Sequence, residues 1–161
     1  MTNIFKTAMI LSLGLAVAAT GCNDDEKKAE NYAKDIEGTY VGSISMGGYP
    51  VVPSDTIKVA AKGENTATLS MNTTIPNLPE VGNLTLDVSC DATITKEGSE
   101  YKVSGSTSIA VAVLGGTPLP VSINGTFTAA GVATLTSTVT MMNADGEPAP
   151  VETVFSGTKL K

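Results

Sequence analysis

Serine lies three residues before lysine at Ser99–Lys102 and at Ser156–Lys159. On a helix that spacing would set a basic amine beside a nucleophilic hydroxyl. Both pairs fall in segments that read as extended, where positions i and i+3 point to opposite faces, so neither can act as a dyad. Asp87 and Asp91 could serve as acid and base, but along one strand face they stand ~13 Å apart at about 3.3 Å per residue. Glycoside hydrolysis needs carboxylates roughly 5–9.5 Å apart, so this pair reads as a solubilising face. The chain contains no His, which removes the usual general base, the commonest metal ligand, and every Ser-His-Asp or Cys-His mechanism. There is no glycine-rich phosphate loop and no metal-ligand spacing. Neither an enzyme activity nor a cofactor or metal is expected.

Charge and size narrow the partners. All ten basic residues are Lys, against sixteen acids, for a net charge of -6 over 161 residues. Nothing forms a basic stripe, so nucleic acid is not an expected partner. An apolar fraction of 42% is ample for one folded domain and too high for a disordered chain.

The first residues read as an address. One Lys precedes a largely apolar run over residues 8–19, too short for the roughly 20 residues that span a bilayer and suited to a signal peptide. The run ends in Ala19-Thr20-Gly21-Cys22, which resembles a bacterial lipobox. That resemblance implies cleavage after residue 21 and acylation of Cys22, palmitate being one such chain. More than one acyl chain is enough for stable membrane attachment. Asn23-Asp24-Asp25-Glu26 resembles the acidic tract that directs some Gram-negative lipoproteins to the outer face of the outer membrane. Residues 1–21 are therefore expected to be a leader and 22–37 an acidic tether with a short helical turn. Residues 38–161 are expected to be the folded domain, lipid-anchored and exposed at the cell surface. With Cys22 acylated, Cys90 has no thiol to pair with and reads as a buried, inert side chain.

From Gly38 onward Val, Thr, Ile and Ser dominate, broken at near-regular intervals by turn residues. The clearest stretch is 84–95. There Leu84, Leu86, Val88, Cys90, Ala92 and Ile94 alternate with Thr and Asp or Ser, giving one buried and one wet face. Similar patterns predict strands at 39–46, 56–61, 67–71, 101–113, 119–127, 132–142 and 151–160, with Asn143-Ala144-Asp145-Gly146 as a strong turn. Eight sequential antiparallel strands can close first against last and so remove their edges. The expected fold is all-β, an eight-stranded antiparallel up-and-down β-barrel. A Greek-key β-sandwich is the competing arrangement.

A helical turn followed by Gly38-Thr39-Tyr40 resembles the G-x-W opening of the lipocalin and fatty-acid-binding (calycin) barrels, with Tyr40 where those barrels have Trp. The chain resembles the calycin-like β-barrel lipoproteins of Gram-negative bacteria over residues 38–161. In those barrels a basic side chain from the last strand packs over the Trp at the closed end. The resemblance thus implies barrel closure through Gly38, Tyr40 and Lys159. It also implies a lipocalin-like role, non-catalytic binding of a small hydrophobic ligand, which suits an interior of mainly Val, Ile, Ala, Leu and Met. The alternative is a packed barrel that contacts a protein partner, as an inhibitor would, through loops 47–54, 73–82 and 143–150. Only six aromatic residues follow Cys22, few with which to grip a ligand.

Overall fold

The computed structural model describes residues 30–78, 82–110, 116–142 and 147–161, with the backbone alone at 77, 78, 82, 84, 141 and 142. Cys22, Pro79, Val111, Val113 and the 143–146 turn lie outside the described residues. A short helix, α1 (Tyr32–Ile36), precedes eight strands: β1 (Gly38–Met46), β2 (Tyr49–Ala61), β3 (Thr66–Leu78), β4 (Gly82–Glu97), β5 (Glu100–Ala110), β6 (Pro118–Thr128), β7 (Val132–Met142) and β8 (Pro148–Lys159). Each pairs with the next, and β1 pairs antiparallel with β8, so the sheet closes into an up-and-down barrel. The β-sandwich is thereby excluded.

Alternation dictates which side chains meet inside. In β4, Val88, Cys90, Ala92 and Ile94 are buried while Ser89, Asp91, Thr93 and Thr95 are exposed. At one end of the barrel Tyr40 and Phe127 pack edge to face, 4.9 Å between ring centroids, and both are essentially inaccessible. Helix α1 lies across that end. Asn31 caps it by accepting from the Lys34 amide at 3.0 Å, and Ala33 and Ile36 are buried beneath it. Gly42 of β1 faces Gly157 of β8 in the closing ladder. A Cβ at Gly157 would lie 2.6 Å from the Phe155 ring, so that ring covers the bare backbone.

Three strands run further than alternation predicted. The strand expected at 56–61 begins at Tyr49, that at 67–71 continues to Leu78, and that at 151–160 begins at Pro148. The expected 47–54 loop is in fact a two-residue turn with Gly47 and Gly48 at φ of 57° and 83°, then strand. Proline caused the difference. Pro50, Pro53, Pro76, Pro118, Pro148 and Pro150 read as loop punctuation but sit within strands, as Pro120 does. The ladder between β2 and β3 joins 57–61 to 67–71, that between β6 and β7 joins 121–127 to 133–139, and that between β1 and β8 joins 40–46 to 153–159. All seven prolines lie beyond the ends of these ladders, from one to seven residues out, on edges that need no N–H donor there. Four hairpins thus project beyond the sealed cylinder and form the open end.

Candidate functional site

The closed end is tied shut by side chains from the helix, the first strand and the last. Tyr40 stands directly opposite Lys159 in the β1–β8 ladder, and its hydroxyl donates to the Ile36 carbonyl at 2.8 Å. Burial pushes its phenol up to about 12. Lys159 runs its stem past Gly38, where a Cβ would meet Lys159 Cε at 2.5 Å, and its ammonium reaches the Asp35 carbonyl at 3.5 Å. Gly38 itself sits at φ +149°, which few other residues adopt. The Tyr101 hydroxyl donates to Asp35 Oδ2 at 2.9 Å, and burial together with that bond raises the Tyr101 phenol. Lys96 lies 5.7 and 5.8 Å from the Tyr32 and Tyr101 ring centroids, within cation–π range. Glu37 accepts from Lys34 at 2.7 Å and from the Ala61 amide at 3.2 Å, which together hold its carboxyl low. These contacts dock the helix on the barrel end.

Away from α1 the interior holds a small void. A cavity of about 30 Å³ lies between Ile44, Ile57, Met71, Ile123, Leu135 and Phe155, with Ser70, Ser137 and Thr153 also in its wall. Pockets that enclose drug-sized ligands run to roughly 300–1,000 Å³. One water needs about 10–15 Å³ on this measure, so the cavity admits a pair of waters or the tip of an alkyl chain. The barrel floor is filled. Tyr49, at the turn of the first hairpin, is 77% exposed beside the mouth.

Residues first weighed for catalysis are dispersed. Ser156 faces outward and Lys159 inward on β8, while Ser99 occupies a turn and Lys102 pairs with Glu97. Asp87 and Asp91 are both exposed on the outer wall. Lys62 and Thr68 bond to Asp91 and hold its carboxyl low. Cys90 is buried, and burial raises its thiol. Among the described residues no three His, Cys, Asp or Glu side chains gather as a metal site would.

The calycin-like β-barrel domain family matches residues 36–158, the whole barrel from the end of the helix to the last strand. The chain belongs to that family. No curated protein and no solved structure matches it. In this calycin-like barrel the internal cavity lies on the side of Phe155 away from helix α1.

Several features there escaped the sequence reading. Phe155 was one aromatic among six, and only the fold makes it a floor. Asp55 and Thr73 went unremarked, although each continues a period-two inward series, Asp55 ahead of Ile57 and Val59 in the chain and Thr73 between Met71 and Ile75. A polar residue in phase with buried apolar ones was the available signal.

Proposed function

We propose that this calycin-like barrel is a non-catalytic binding module whose ligand enters end-first between the four open-end hairpins. The observation that carries it is the apolar cavity above Phe155, inside a fold whose opposite end is sealed by helix α1. At about 30 Å³ it suits a small apolar group or the end of a longer chain; a whole fatty acid would need the hairpins to part. The lipobox-like Ala19-Thr20-Gly21-Cys22 and the acidic tract support anchoring through acylated Cys22 in the outer membrane. Helix α1 leads the barrel at its closed end, so such a tether leaves the open end facing away from the lipid. Over residues 22–30 it spans at most ~29 Å.

Native mass spectrometry of the lipoprotein extracted from its own membranes tests both parts. Acylation of Cys22 adds a fixed mass to the N-terminal peptide, and a retained ligand adds a second mass that alkyl competitors displace. An unmodified soluble chain rejects the anchor. The small cavity favours one second reading, in which the hairpins contact a protein and the interior stays packed. A barrel that arrives empty and whose melting is unmoved by any alkyl compound selects that reading.

A further inference from the structure

Two oxygens just above the cavity are buried without a partner. Thr73 is 3% exposed and its Oγ1 makes no hydrogen bond. Asp55 Oδ2 is likewise buried and unbonded, while Oδ1 accepts from the Thr56 amide at 2.6 Å. The two belong to one level of the barrel. Ile57 opposite Met71 is the last pair of the β2–β3 ladder, both line the cavity, and Asp55 and Thr73 are the next inward positions of those strands. Across the interior, Ser137 and Thr153 face each other in the β7–β8 ladder and bring two hydroxyls to the cavity wall.

An ionised carboxylate accepts hydrogen bonds and donates none, and a buried one without a compensating charge is costly. Among the described residues no Lys points into the barrel at this level. Lys34, Lys62, Lys96, Lys102, Lys159 and Lys161 belong to the closed half, and Lys58 points outward. On the outer wall Lys58 shares a groove with Asp87, while the described inward strand positions beyond Ile57 and Met71 carry Asp55 and no Lys. Among those inward positions Asp55 is thus the one charged side chain, and it favours a cation. Water could bridge Asp55 to Thr73 but would leave the charge uncompensated. An ammonium group brings three N–H donors and the opposite charge together.

We propose that Asp55 and Thr73 form a cation subsite for the ammonium group of a small primary alkylamine, whose chain descends into the apolar cavity toward Phe155. This deepens the end-first reading above and rests on it. The assignment gives the ligand class: one positive head with several donors, joined to a short apolar tail.

Titration of the full-chain lipoprotein in nonionic detergent with n-butylamine, 1-butanol and butyrate, read by calorimetry and by melting temperature, tests this. n-Butylammonium is expected to bind and raise the melting temperature, 1-butanol to bind at least tenfold more weakly, and butyrate not to bind. Asp55→Asn should weaken n-butylammonium by about tenfold or more, as loss of a charge-assisted bond does. Thr73→Val should weaken it several-fold and leave 1-butanol less affected. Equal affinities for n-butylammonium and 1-butanol overturn the cation subsite while sparing the end-first reading. Binding of none of the three removes both. Unchanged affinity in a folded Asp55→Asn chain overturns the role of Asp55; if that variant does not fold, the head-group ratio in the native chain and the Thr73→Val result decide.

Discussion

Replacing Tyr40 by Phe and by Ala separates the two things its side chain does. The hydroxyl donates to the Ile36 carbonyl at 2.8 Å, at the C-terminal end of α1, where carbonyls lack helical partners. Tyr40→Phe leaves that carbonyl buried and unbonded, a cost of about 1–2 kcal/mol. Tyr40→Ala also removes a ring that is 1% exposed and packed on Phe127 at 4.9 Å, for a total of about 3–5 kcal/mol. For a chain of this size each kcal/mol lowers the melting temperature by about 3 °C. Phe should therefore melt about 3–6 °C lower and Ala about 9–15 °C lower. The pH dependence provides a second readout. The folded Tyr40 phenol is held up at about 12 by burial, against about 10 when unfolded. Its contribution is fully present below pH 10 and is lost as pH rises from 10 through 12, because the unfolded chain ionises first. Two units correspond to roughly 2–3 kcal/mol. Tyr101, also raised, adds to the same decline, so Tyr40→Phe should shallow the loss and not abolish it. Chemical denaturation between pH 8 and 12 measures all of this. A Tyr40→Phe chain within 0.5 kcal/mol of the parent, with an unaltered alkaline slope, refutes the buried bond to the helix.

Gly157→Ala should destabilise by about 1–3 kcal/mol, since its Cβ would fall 2.6 Å from Phe155 Cζ and 2.7 Å from the Val41 carbonyl oxygen; urea midpoints measure it, and no loss would mean that the β1–β8 seam has room there. Thr73→Val should raise stability by about 1 kcal/mol by removing a buried hydroxyl without a partner, and a loss on thermal denaturation would show that the hydroxyl is bonded after all. Cys90 should resist Ellman's reagent at pH 8 in the folded chain, because burial raises its thiol. On unfolding, one thiol per chain should appear if Cys22 is acylated and two if it is not. Phe155→Ala should cost about 3–5 kcal/mol and enlarge the apolar cavity. Benzene should then restore part of the lost melting temperature, which it should not do for the parent.

Period-two alternation in the sequence determined the class of the fold, the number of strands and most of the inward faces. The even series from Val88 to Ile94 points inward because successive strand side chains must point to opposite sides. The Gly38-Thr39-Tyr40 opening and the turn residues located the start and the hairpins, since backbone conformation at such positions is a local matter. Proline was misleading for the same reason: locally it breaks a ladder, and only the tertiary arrangement shows which strand edges have no neighbour to bond. The open-end hairpins, and the lengths of β2, β3 and β8, were therefore decided by the closure of the barrel. So were the floor at Phe155, the volume above it, and the placing of Asp55 and Thr73 at one level. Those depend on register between strands and on how far eight walls stand apart, quantities set by the packing of residues distant in the chain, which no local pattern encodes.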